Sequence, residues 1–232
     1  MIKRFTVLLL LAGIGAIFAS LLLGYIPDSE LNLTARYYAE HTAKDIGAAN
    51  IVTAIIVTYR GLDTLGEVTV LFLTAAIVGL VLARGRKQCR VRRNIPASGE
   101  LLTTGSRLLV PLILLLGVYV FVNGHLTPGG GFQGGAIIAS AILLLLLTNP
   151  LQRFSHRLIA AVESVSGVLF VAIGLLGILL AGGFLDNRIL PTGVFGELFS
   201  AGAIPLIYSL IGLKVGAEFS SMLVNLSETE ES

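Results

Sequence analysis

The sequence predicts an all-α, polytopic membrane protein with about six transmembrane helices, a short interfacial helix and a Gly/Pro-rich irregular turn. Three observations carry this. Hydrophobic residues make up 55% of the 232 positions and charged residues only 13%, where a soluble domain carries roughly 25% charged. Apolar runs long enough to cross about 30 Å of hydrocarbon recur along the chain. Six basic residues are packed into one linker, RGRKQCRVRR at 84–93, the pattern that marks a cytoplasmic loop.

The elements follow in order. Phe5 to Tyr25 is the first span. The short basic Lys3-Arg4 before it places the N-terminus in the cytoplasm, and Pro27 and Asp28 end it. The run resembles a signal peptide but shows no small-residue cleavage site, so it is read as a retained helix. Residues 28–47 are polar and mixed in charge and are expected outside, partly as an amphipathic helix along the surface. Ala49 to Thr58 is apolar but too short to span, so a short helix at the outer interface is expected, then a turn at Gly61. A second span runs from about Leu62 to Ala83. Asp63 is expected to cap it. Glu67 stands one turn further in, at a depth where a carboxylate needs a partner or water.

After the basic linker, residues 94–106 form a boundary, which divides the chain into 1–94 and 95–232. The third span covers about 107–122, with an earlier start at Leu101 as the alternative. The fourth ends at Leu147, before Thr148-Asn149-Pro150. The fifth runs from Leu158 to Ala181 with Glu163 about one turn inside. The sixth runs from Leu198 to Leu226, with a kink expected at Pro205. It carries Lys214 and Glu218 one turn apart, on a shared face. The tail from Ser227 to Ser232 is expected to be disordered and cytoplasmic, which puts both termini on the cytoplasmic side of the cell membrane. Of the basic residues, only Arg188 is expected in the short outer loops.

Between the third and fourth spans lies GHLTPGGGFQGG, with six glycines in twelve residues. Glycine admits positive φ and close backbone approach, and Pro128 removes a donor. Gly124, Pro128, Gly129, Gly130, Gly131, Gly134 and Gly135 are therefore expected to form irregular backbone. Such backbone is tolerated at membrane depth only where protein or a wet cavity covers it. A tight turn that lets helices pack closely is the plain alternative.

GHLTPGGGFQGG resembles the signature of the B subunit of multisubunit Mrp-type sodium/proton antiporters, the MnhB/MrpB family, which also occurs in membrane-bound hydrogenases. GAIPLIYSLIGLKVGAE at 202–218 is similar to the last helix of that family. A second string, NIVTAIIVTYRGLDTLGE, resembles the C-terminal part of the Mrp A subunit, which stands alone as the small E subunit of membrane-bound hydrogenases. The resemblance implies a subunit working beside other Mrp-type membrane subunits and hydrogenase-like redox subunits, in contact with lipid and contributing to sodium and proton movement. The large antiporter-like part of an A subunit is missing, so the chain is not expected to be a complete pump.

The residues themselves exclude much. There is no nucleotide loop, nucleophile elbow, zinc spacing or haem-attachment motif, and the single Cys89 cannot form an internal disulfide. No cofactor is expected, no nucleic acid partner, and no catalysis by this chain alone. Any metal is left open. The ion-path candidates are the ionisable groups in or near apolar segments: His125, Glu67, Glu163, Lys214, Glu218 and Asp63. Histidine titrates near neutral pH, and burial raises carboxylate and lowers lysine pKa values. The alternatives are a helix cap for Asp63, an interfacial residue for Glu163 and an intrahelical ion pair for Lys214 with Glu218. At the level of the whole chain, the rival is a structural subunit that seals and aligns ion-translocating partners.

Overall fold

The computed structural model describes residues 2–25, 30–86, 98–149 and 152–230. Pro27, Asp28, Cys89, most of the basic linker, the start of the 94–106 boundary and Pro150 lie outside the described residues. The described residues contain eight α-helices: α1 (Ile2–Leu23), α2 (Leu33–His41), α3 (Ile51–Ala54), α4 (Gly61–Arg86), α5 (Glu100–Val122), α6 (Gly131–Thr148), α7 (His156–Ala181) and α8 (Ile204–Glu230). Single π-turns, Thr42–Ile46 and Ile55–Tyr59, follow α2 and α3, and a 3-10 turn covers Asn187–Ile189. Six helices are long and apolar enough to cross a membrane: α1, α4, α5, α6, α7 and α8.

The chain forms two compact units, residues 1–37 and 38–232. The first holds α1, whose described side chains are all exposed on the chain's own surface, and the beginning of α2. The second holds everything else. The compact units thus divide well before residue 94, and α4 packs in one body with α5–α8.

Within that body α8 is the hub. Two thirds (67%) of its apolar window is buried, against 6% for α4. It contacts α6, α7, α4 and α5. Small residues explain how it fits four neighbours. A Cβ at Gly212 would lie 2.4 Å from the Phe121 ring of α5, and one at Gly135 of α6 would lie 2.8 Å from the Gly212 carbonyl and the Gly216 amide. Helix association inside a membrane depends on such close backbone approach, because lipid is as apolar as the helices.

Several expectations are corrected. The sixth helix starts at Ile204, not Leu198, because residues 198–203 are spent in a loop where Ala201 and Gly202 both adopt positive φ. Pro205 therefore falls in the first turn, where a missing N–H costs no helical bond, and it is no mid-helix breaker. The helix also continues to Glu230, so residues 227–230 are ordered where a disordered tail was expected. The turn before α4 lies at Arg60, and Gly61 is already helical. Gly131, Gly134 and Gly135 are helical too, forming the first turns of α6. Their glycines serve packing: Gly134 faces the Gly117 carbonyl of α5, whereas Gly131 and Gly135 face α8. Only residues 123–130 remain irregular.

Candidate functional site

The irregular loop is held by a clamp built mostly from residues 49–53. Asn50 is the N-cap of α3: its Oδ1 accepts from the Val52 and Thr53 amides at 3.1 and 3.4 Å, the role asparagine favours at helix starts. Its Nδ2 points the other way and donates to the Gly124 and Thr127 carbonyls at 2.9 and 3.0 Å. The Ala49 and Asn50 amides both donate to the His125 carbonyl at 3.0 Å. Thr53 Oγ1 donates to the Gly124 carbonyl at 2.5 Å and accepts from the Tyr208 hydroxyl of α8 at 3.2 Å. The Gly124, His125 and Thr127 carbonyls of the glycine-rich loop are thus satisfied across the fold, as buried backbone outside a helix requires.

Gly124 and Gly129 explain why glycine stands here. A Cβ at Gly124 would lie 2.6 Å from the Tyr208 ring, and Gly129 has φ +147° with Val120 at 3.0 Å from an added Cβ. Gly130, with φ 164°, is extended backbone, and its neighbours are the Gln133 amide and the Tyr208 hydroxyl.

His125 is fully buried. Nε2 lies 3.3 Å from the Glu197 carbonyl. A carbonyl only accepts, so Nε2 carries the proton, and Nδ1 presents a lone pair with no partner in hydrogen-bond geometry. Desolvation pulls the His125 pKa below its ordinary 6.5, opposed by the backbone groups of Glu197, Val122 and Leu198. The ring is therefore neutral at pH 7.

A second buried polar group lies deeper. Lys214 and Glu218, expected to share a face, form an ion pair with Nζ 2.5 Å from Oε1. Lys214 is buried and Glu218 has no exposed surface. Lys214 Nζ also lies 5.1 Å from the centre of the Phe72 ring of α4, a cation–π contact. Gly167 of α7 packs beside the lysine stem, with an added Cβ 3.5 Å from Lys214 Cδ and Cε. The second carboxylate oxygen, Glu218 Oε2, is buried without a partner. Glu163 of α7 is half-buried and close enough to act electrostatically on Glu218.

The two remaining candidates stand apart on α4. Asp63 does not cap the helix. It is the third helical residue, exposed and paired with Arg60. Glu67 is exposed on the chain's own surface and has no ion pair among the described residues. Among the described residues no group of three or more His, Cys, Asp or Glu side chains is placed to hold a metal ion. The six candidates therefore form no single site: His125 belongs to the loop clamp, Glu163, Lys214 and Glu218 to a buried cluster, and Asp63 and Glu67 to an outer face.

Sequence reasoning missed Asn50, Thr53 and Tyr208. Asn50 carried a readable signal, an N-cap residue before an apolar run. Its second role, bonding 74 residues away, had none.

Two family models match the chain in separate stretches. The model described as a domain related to the MnhB subunit of Na+/H+ antiporter matches residues 101–221, just over half of the chain. The model for the E subunit of MBH matches residues 2–95. An uncharacterized protein of Methanocaldococcus jannaschii is 30% identical over 201 residues, 77% of each chain. Among solved structures, a chain of the membrane-bound sulfane sulfur reductase, an archaeal respiratory membrane complex, is similar at 42% identity and TM-score 0.82, covering 97% of this chain and 98% of that one. A chain of the Mrp complex from Dietzia sp. DQ12-45-1b is similar at 28% identity and TM-score 0.78, covering 99% of this chain but 26% of its own length. Of two curated antiporter subunits it matches, the chain spans 17% and 65% of the length. By the extent of the first model match and the Methanocaldococcus relative, the chain belongs to the family of proteins with a domain related to the MnhB subunit of the Na+/H+ antiporter.

Proposed function

We propose that this protein is a membrane subunit of a multisubunit Mrp-type module within a membrane-bound hydrogenase or related respiratory complex, and that it contributes to sodium/proton translocation. The observation that carries the reading is the end-to-end similarity to a chain of an archaeal respiratory complex. The chain covers 98% of that respiratory-complex chain but 26% of the Mrp-complex chain, and this absence of the large antiporter-like portion supports a respiratory assembly over a free-standing antiporter.

The geometry supports a division of labour. The clamp around His125 fixes the joint between the two matched regions. The exposed Glu67, about 9 Å along α4 from Gly61, is the group that a neighbouring subunit or a passing cation meets. An unpaired carboxylate facing hydrocarbon is costly, so a cation or a donor from another subunit covers it in the assembly. The basic linker supports cytoplasmic termini and contact with anionic lipid headgroups.

The test is purification of the tagged chain in mild detergent. Co-purification of antiporter-type membrane subunits together with a redox subunit is expected. Antiporter subunits alone would move the reading to a free-standing Mrp assembly, and a chain that purifies alone would overturn it.

A further inference from the structure

Beyond the buried pair, polar residues recur along one face of α8. Lys214, Glu218, Ser221, Asn225 and Glu228 follow one another at spacings of four, three, four and three. This is the seam of a heptad, so they share one face along the whole half-helix. The other two helices present matching positions to that face. On α4, Phe72 meets Lys214, and seven residues later Gly79 stands with its absent Cβ 4.0 Å from the Asn225 amide. On α7, Gly167 and Glu163 lie near the pair, and seven residues earlier His156 Nε2 contacts Glu228 Oε1 at 2.7 Å. Between these ends, Asn225 Nδ2 is 3.5 Å from Ser221 Oγ. The line spans about 21 Å, from the end of the bundle to a depth about 15 Å from the other end of α8, the middle of the hydrocarbon.

Apolar residues would seal three helices more cheaply than this, and polar groups inside spans mark ion pathways by default. The neighbouring groove of about 300 Å³ between α6, α7 and α8 is lined by apolar and hydroxyl side chains such as Ile142, Leu158 and Leu213 and by no titratable group. The polar seam is distinct from it. At the deep end of the seam, Glu218 Oε2 has an open lone pair and no partner.

We propose that the seam between α4, α7 and α8 is a proton-access path leading from the His156–Glu228 pair to the Lys214–Glu218 pair at mid-membrane. A proton enters at His156 or Glu228 and passes along waters held by Asn225 and Ser221. It binds Glu218 Oε2, which converts the ion pair into a neutral acid beside an ammonium, one positive charge more than before. Lys214 then releases a proton to the far side and recovers one from Glu218, restoring the pair. The titratable groups facing Glu218 are Lys214 on its own helix and Glu163 on α7, and α4 presents Phe72. The onward release rests on the translocation reading above. The wet seam does not.

The test uses the assembled complex in vesicles, with Cys89→Ala as background. Ser221→Cys and Asn225→Cys are labelled with a water-soluble thiosulfonate and compared with Leu226→Cys, at the same level of α8 but about 100° around the helix from Asn225, on its exposed face. Labelling of the two seam variants at least about tenfold faster is expected. Rates no faster than the Leu226→Cys rate would overturn the path. Glu218→Gln keeps the shape and a hydrogen-bonding partner for Lys214, so it gives a second measurement if a cysteine variant fails to assemble. Proton uptake at least tenfold lower in normally assembled complex is expected, and unchanged uptake would overturn the proposal. Labelling is read on the assembled chain whether or not sodium moves. A dry seam therefore sinks the path, whereas a missing set of partner subunits sinks the functional reading.

Discussion

Asn50 works at both ends of its side chain, capping α3 with its oxygen and closing the glycine-rich loop with its nitrogen. Asn50→Ala leaves the Thr127 carbonyl without that donor and removes the cap, a loss of roughly 1–3 kcal/mol for the unmade buried bonds. A lower midpoint in thermal unfolding of the detergent-solubilised protein is expected. Asn50→Asp keeps the cap but sets a carboxylate oxygen against the Gly124 and Thr127 carbonyls, so the midpoint should fall at least as far. His125 makes a pH prediction. Its folded pKa is depressed, so the unfolded chain binds more protons just below 6.5 and stability falls as pH drops through that range. The difference in melting temperature between wild type and His125→Gln should shrink on acidification from pH 7 to 5.5. A difference independent of pH would show that burial does not set the titration. The histidine was conspicuous in the sequence because it opens a broken stretch, but its burial under residues 197–198 depends on a loop that no local pattern announces.

At the scale of elements, α6 enters between α5 and α8 by giving one glycine face to each. Gly135→Ala drives a methyl group into the backbone of α8, with roughly 1–3 kcal/mol of overpacking, and should lower the amount of assembled complex on a native gel. Gly105→Ala, whose Cβ meets nothing within 4 Å, should leave assembly unchanged and serves as the control. The spans were legible because length and hydropathy settle them. The start of α6 was not. A run of glycines reads as broken backbone by propensity, yet tertiary packing here needs glycine inside the helix. The start of α8 was misplaced for the related reason that Leu198 and Phe199 continue the apolar pattern while sitting exposed in a loop.

At the scale of the whole molecule, α4 is the least buried span of the larger unit and carries Glu67 outward. Glu67→Gln removes charge but little shape. Normal assembly with several-fold lower sodium-dependent transport in vesicles is the expected result, and full transport would return Glu67 to a purely structural place. The charge pattern predicts that Cys89 reacts with an impermeant thiol reagent only in inverted vesicles. Strong labelling in intact cells would overturn the orientation. The two-part make-up was visible in the sequence from two separate strings. That residues 38–86 close into one body with residues 98–230 was not, because the bonds joining them run between backbone groups and side chains of ordinary composition.

The clamp has a consequence for how this polypeptide could be encoded. Residues 38–86 and 98–230 are joined by a buried network: Asn50 and Thr53 to the Gly124 loop, Tyr208 to Thr53, Asn187 to the Ile46 carbonyl. None of these bonds depends on the peptide links of 87–97. Cut there and made from two reading frames, the halves should find each other and co-purify as a pair. Covalent continuity would then set their stoichiometry and their local concentration, and the fold itself would be a heterodimer written as one gene.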